Sequence, residues 1–227
     1  MWIKICANTN LDDAQLAAEL GADAVGFVFA PSKRQVTAAQ VADITPHLPR
    51  SVERVGVFHS QNADEIASIA QQAGLTAIQL HGGSNPALAE ELQRRFEGRL
   101  GLIQTIHWQV DTDGSSAMTV NRQLAQLNAD GVIDRVLIDS KVGQATGGTG
   151  TSFNWSEARS VFTQSAGRLK LIVAGGLRPE NVAEAIQGLT PWGVDVASGV
   201  EAEPGRKDPE KLVAFLKNAR ESKAATV

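Results

Sequence analysis

The sequence predicts a single-domain α/β protein built as a (β/α)8 barrel, the TIM-barrel architecture, and three observations carry that prediction. Short β-branched apolar runs alternate with longer amphipathic ones along the chain, and eight of each can be read. The 227 residues then divide into units of about 28 residues, enough for a strand, a helix and two short connections. The residues after the first run are Ala7, Asn8, Thr9 and Asn10, with no glycine fingerprint. That absence argues against an open doubly wound sheet, the main competing architecture.

The units follow in order. Strand 3–6 leads to helix 12–20, strand 24–29 to helix 38–45, and strand 54–58 to helix 63–73. Strand 77–80 leads to helix 86–96, strand 101–106 to helix 119–128, and strand 135–139 to helix 155–165. The last two units pair strand 169–174 with helix 179–187 and strand 194–197 with helix 209–219. Proline opens the helices at Pro86, Pro179 and Pro209, and capping-type residues open most of the others. The barrel is assigned to residues 1–220, and residues 221–227, which lack an apolar face, are assigned to a frayed tail.

Composition narrows the function classes. With 43% hydrophobic and 20% charged residues the chain can build a large core. A net charge of −4 sets its field against nucleic acid. No apolar run approaches the roughly 18 residues of a membrane span. Cys6 is the only cysteine, so no intrachain disulfide is available, and the amino terminus enters a strand without a basic and then apolar leader. A cytoplasmic enzyme is expected, as a monomer or a homodimer, with no nucleic-acid or membrane partner.

In such a barrel the chemistry lies at the carboxyl ends of the strands, where eight loops meet above a packed interior. Alternation puts Lys4 and Cys6 on one face of the first strand and Ile3 and Ile5 on the other. The apolar pair faces the helices, so Cys6 stands at the mouth. Asp139 closes the sixth strand after Val136, Leu137 and Ile138, and an acid ending an apolar run needs a reason to be there. The same alternation turns Gln79, His81 and Asp195 inward as substrate-positioning candidates. His47, His59 and His107 are read as structural. Histidine spacing along the chain offers no ligand pair, so no metal is expected.

A phosphate site has the clearest basis. The loops after strands seven and eight read Ala174-Gly175-Gly176-Leu177 and Ser198-Gly199-Val200, and glycine lets backbone amides approach an anion closely. The candidates are Gly148, Gly175, Gly176, Ser198 and Gly199. Residues 141–150, rich in glycine, read as a lid.

These residues resemble a known family. Lys4-Ile5-Cys6, Gly26-Phe27-Val28-Phe29 with Ser32-Lys33-Arg34, Gln79-Leu80-His81-Gly82 and Ile138-Asp139-Ser140 occur in its order. So do Gly147 to Gly150, Ala174 to Leu177, Gly193 to Val196, Ser198 to Glu201 and Pro204 to Asp208. The chain is similar to the phosphoribosylanthranilate isomerases of tryptophan biosynthesis. The resemblance implies a cofactor-free Amadori rearrangement of a phosphorylated sugar amine, with Asp139 as general acid and Cys6 as general base. It also assigns Arg34 to the anthranilate carboxylate. Lys4 is the expected source of a lowered Cys6 pKa. One departure is visible, since the family has glycine after the cysteine and this chain has Ala7. The rivals are the related isomerase of histidine biosynthesis, which would want aspartate in place of Cys6, and a non-catalytic barrel that binds a sugar phosphate.

Overall fold

Eight parallel strands close on themselves in sequence order in the computed structural model, which describes residues 1–109, 115–141, 158–161 and 167–224. The strands are β1 (Trp2–Ile5), β2 (Ala24–Val28), β3 (Glu53–Phe58), β4 (Ala77–Leu80), β5 (Gly101–Gln109), β6 (Arg135–Lys141), β7 (Lys170–Ala174) and β8 (Gly193–Val196). Strand β1 pairs with β2 through Lys4 and Ala24 and with β8 through Lys4 and Asp195, which closes the ring. The expected barrel is therefore the observed one.

Helices α1 (Leu11–Glu19), α2 (Ala38–Ile44), α3 (Ala63–Gln72), α4 (Pro86–Arg95) and α5 (Ser115–Asp130) follow the first five strands. Helices α6 (Val182–Leu189) and α7 (Pro209–Ala224) follow β7 and β8, and residues 158–161 are helical. Asparagine side chains cap α1, α3 and α4 through Asn10, Asn62 and Asn85, and Thr37 with Gln40 forms a capping box on α2. Alternation sorts the apolar side chains into two shells. Ala24, Val55, Ala77, Ile103, Leu137, Ile172 and Ala174 cluster inside the barrel, while Ile3, Ile5, Val25, Phe27 and Ile78 join the larger core beneath the helices.

Several boundaries differ from the sequence reading: α5 begins at Ser115 rather than residue 119, and β5 and β6 run on to Gln109 and Lys141. Helix α6 begins at Val182 rather than residue 179, because Pro179 sits in a turn in which the Asn181 side chain accepts from the Arg178 amide at 2.9 Å. Helix α7 runs to Ala224, so the tail expected at 221–227 is helical well past its start. Its reason is packing, since Ser222 is buried and its hydroxyl donates to the Asn218 carbonyl at 2.6 Å. After β8 the chain adds an unexpected antiparallel hairpin, β9 (Glu201–Glu203) and β10 (Arg206–Lys207). The glycine-rich stretch with Gly148 and most of the helix expected at 155–165 lie outside the described residues. No helix among the described residues is long and apolar enough to cross a membrane.

Candidate active site

Closure of the sheet brings the strand ends together around a cavity of about 230 Å³. Cys6, Arg34, Gln79, His81, Asp139, Gly175, Gly176, Asp195, Ser198 and Gly199 all line it, together with His59. Gly148 lies outside the described residues. A larger hollow of about 600 Å³ at the opposite end of the barrel is lined by self-paired charges such as Arg135 with Glu53 and Lys170 with Asp134. Asp23 there is paired as well, with Arg220.

Cys6 is held at the end of β1 by its own amide, which donates to the Val196 carbonyl at 2.7 Å. Beneath it Lys4 is fully buried and donates to Gln79 Oε1 at 2.8 Å and to Asp195 Oδ1 at 2.9 Å. The Gln79 amide in turn donates to Thr105 Oγ1 at 3.0 Å. Gln79 and Asp195 thus face the cavity, as expected, but spend polar atoms on Lys4. Burial works against the Lys4 charge, yet Asp195 and Cys6 outweigh it and hold the ammonium above the ordinary lysine value.

The Cys6 thiol departs from expectation. Burial pushes its pKa up, Lys4 and Lys207 pull it down, and Asp195 pushes it up again, leaving it above the ordinary thiol value. Lys4 acts in the expected sense, but desolvation of a thiol that is 6% exposed is the larger effect.

The hairpin supplies groups that the sequence reading did not single out. Lys207 is buried and donates to the Cys6 carbonyl at 2.6 Å, with Glu201 at 3.5 Å. Burial lowers the Lys207 pKa. Arg34 reaches across from the loop after β2 and donates to Glu201 through Nε at 2.8 Å and Nη2 at 2.6 Å. Burial opposes ionisation of Glu201, but Arg34 and Lys207 prevail and hold its carboxyl below the ordinary range. The signal available in the sequence was Pro204-Gly205, a turn between two charged residues that a hairpin brings together.

On the far side of the mouth His81 stacks on His59 at a centroid distance of 4.8 Å and meets His107 edge-on at 4.7 Å. His107 Nδ1 lies 3.8 Å from Asp139 Oδ2, their residues being in register between β5 and β6. His59 follows β3 and His107 lies near the end of β5, and the ring of each packs against His81. Chain spacing offered no ligand pair, but the fold brings three donor side chains together. Donor atoms of His81, His107 and Asp139 lie within 4.8 Å of one another, because neighbouring strands unite residues that chain spacing keeps apart.

The loops after β7 and β8 lie side by side. Gly175 and Gly176 have φ of 87° and 65°, a region that disfavours side chains. A Cβ at Gly199 would fall 1.8 Å from the Leu177 carbonyl oxygen, so only glycine permits this approach. Both loops present backbone to the cavity.

A profile of the family described as N-(5'phosphoribosyl)anthranilate (PRA) isomerase matches residues 3–218. The chain belongs to this family. The phosphoribosylanthranilate isomerase of Pelobacter propionicus is 37% identical over 223 residues, 98% of this chain and 97% of its own length. The crystal structure of the Thermotoga maritima isomerase covers 97% of this chain and 99% of its own, with 36% identity and a TM-score of 0.82. An isomerase solved in complex with reduced 1-(o-carboxyphenylamino)-1-deoxyribulose 5-phosphate gives a TM-score of 0.79 and 34% identity, covering 97% of this chain and 99% of its own. The departure at Ala7 acquires a physical meaning in the phosphoribosylanthranilate isomerase fold. Ala7 has φ of 63°, a left-handed conformation open to glycine without cost and strained for alanine.

Proposed function

We propose that the protein converts N-(5-phospho-β-D-ribosyl)anthranilate into 1-(2-carboxyphenylamino)-1-deoxy-D-ribulose 5-phosphate by general acid–base catalysis. The observation that carries this reading is the meeting of Cys6 and Asp139, from β1 and β6, in one cavity roofed by the glycine loops after β7 and β8. Asp139 protonates the furanose ring oxygen as its bond to C1 breaks and the nitrogen lone pair forms the Schiff base. The Cys6 thiolate then removes the proton from C2, the electron pair closes the C1–C2 double bond, and the resulting enolamine tautomerises to the ketone. Atoms are rearranged with no net redox change and no cofactor.

The phosphate rests on the amides of the Gly175, Gly176, Ser198 and Gly199 backbone, as anions do on oriented N–H groups. Gly148 is assigned to the same group through the family resemblance alone. Arg34 receives the anthranilate carboxylate on the guanidinium edge that Glu201 does not use. His81 orients the substrate beside Asp139. Gln79 and Asp195 position it from below while holding Lys4.

The test is a fluorescence assay of the purified full-length protein with the anthranilate substrate and no added metal. Turnover is expected, with kcat reduced roughly 10²- to 10⁴-fold in Cys6→Ala and Asp139→Asn at unchanged far-ultraviolet circular dichroism. Turnover of only the histidine-pathway sugar amine, or phosphate-sugar binding without turnover, would overturn the reading.

A further inference from the structure

We propose that His81, His107 and Asp139 form a binding site for a divalent transition ion of the Zn²⁺ class, and that the bound ion inhibits isomerisation by competing with the substrate. The inhibitory half rests on the proposed acid role of Asp139; the binding half does not. The ligands come from the ends of three successive strands, β4, β5 and β6, so the barrel wall fixes their separation. Their donor atoms lie within 4.8 Å of one another before any ion is added. Four-coordinate zinc with bonds near 2.0–2.1 Å needs donors about 3.3 Å apart, so rotations about side-chain torsions suffice to close the set.

A second observation concerns ring orientation. Three of the four histidines in the chain, His59, His81 and His107, gather in a row that ends on Asp139. Stacking on His59 limits how His81 can turn, and the register of β5 with β6 holds His107 beside Asp139. Preorganised rings of this kind lower the cost of assembling a coordination sphere. All three ligands are half-buried, and His81 and Asp139 line the cavity, so an ion can enter from it.

The donor set selects the ion. Two imidazole nitrogens and one carboxylate oxygen suit Zn²⁺, Ni²⁺, Co²⁺ or Cu²⁺, whereas Mg²⁺ and Ca²⁺ demand oxygen-rich shells. Three protein ligands leave an open position for water. The inhibition follows from coordination alone, because an Asp139 oxygen bonded to the ion has no proton to give and the ion occupies the substrate's volume.

Equilibrium dialysis of tag-free, chelator-treated protein against Zn²⁺, with metal analysis, measures the binding half without any turnover assay. One ion per chain is expected, and Co²⁺ substitution should add a visible absorption band. His107→Gln should weaken uptake at least tenfold while metal-free turnover persists, and Cys6→Ala should leave uptake unchanged. Added Zn²⁺ should raise the apparent KM of the wild-type isomerase and spare the His107→Gln variant. The proposal is overturned by absence of stoichiometric uptake, by uptake indifferent to His107→Gln, by uptake lost in Cys6→Ala, or by a bound ion that leaves KM unmoved. Stoichiometric uptake by a protein with no metal-free turnover would support the ion site and overturn the isomerase reading instead.

Discussion

Replacing Lys4 by methionine removes a side chain that donates to both Asp195 and Gln79, at 2.9 and 2.8 Å, and it does so in a site closed to water. Two consequences of different kind follow. Asp195 is left as a buried charge without its partner, and losses of this type cost about 3–5 kcal/mol. At about 2–4 °C per kcal/mol for a chain of this size, the melting temperature should fall by roughly 10 °C. The second consequence is chemical. Lys4 is one of the two cations that restrain the rise of the Cys6 pKa, and Asp195 adds to that rise. Loss of Lys4 should move the ascending limb of the pH profile of kcat/KM, set by deprotonation of Cys6, up by about 1 to 2 pH units, the effect of one nearby opposite charge. Turnover at neutral pH then falls about 10- to 100-fold, since each unit removes nine-tenths of the thiolate. Asp195→Asn removes a charge of opposite sign and should move the limb down. The assay is the fluorescence turnover measurement from neutral to alkaline pH on both variants, with thermal unfolding alongside. A limb that stays in place, or moves the same way in both variants, refutes the electrostatic argument.

Other outcomes follow from the same geometry. Glu201→Gln should loosen the Arg34 clasp, raising KM for the anthranilate substrate roughly tenfold with a smaller change in kcat, as loss of a charge-assisted bidentate pair predicts. The Glu201 carboxyl is held below its ordinary range, so its stabilising contribution is present above that range and is lost as pH falls through its lowered value. Acid unfolding of the wild type should therefore show a slope that Glu201→Gln lacks. The Cys6 pKa is raised, so its contribution is full below the ordinary thiol value and is lost as pH rises through the folded one. Wild-type stability should decline on the alkaline side, less so in Cys6→Ala. Ala7→Val should cost about 2 kcal/mol in chemical denaturation, because a β-branched side chain tolerates φ of 63° worse than alanine does. Ala7→Gly should change stability by less than about 1 kcal/mol, relief of strain offsetting chain entropy and a lost methyl contact.

What the sequence could and could not convey divides along the range of the interactions. Period-two alternation over a few residues sufficed to turn Lys4 and Cys6 inward, whereas the strand read as ending at Asp139 continues in β6 to Lys141. Strand order then needed only the rule that successive parallel strands neighbour one another. The hairpin contacts could not be reached this way. Lys207 touches the Cys6 carbonyl from 201 residues further along the chain, and Arg34 meets Glu201 across 167. Neither pair leaves a periodic trace. The row of histidines was closer to hand, since His59 and His107 each come directly after an apolar run, but weighing each histidine alone concealed that adjacent strands would stack them. The thiol pKa was misjudged for a related reason. Counting the nearby cation captures one influence, whereas burial depends on the whole packed surround.

A buried lysine in a barrel interior calls for explanation on energetic grounds alone. An apolar cluster of Ala24, Val55, Ala77, Ile103, Leu137 and Ile172 already fills this space, and replacing a buried ion pair with well-packed apolar groups is often neutral or stabilising. Stability therefore gives little reason to keep Lys4, Asp195 and Gln79 where they are. Their place directly below Cys6 supplies one. A thiol buried without a neighbouring cation would lose its thiolate almost entirely at neutral pH, and a thiol raised into solvent would lose its fixed aim at the sugar. Lys4 from beneath and Lys207 at the backbone let Cys6 stay buried and aimed while limiting the rise of its pKa. Removing either cation should consequently damage turnover more than a comparable loss of stability elsewhere in the barrel, and Lys207→Met tests this independently of Lys4. If Lys207→Met lowers kcat no more than a surface variant matched to it in melting temperature, the lysines serve packing and the argument fails.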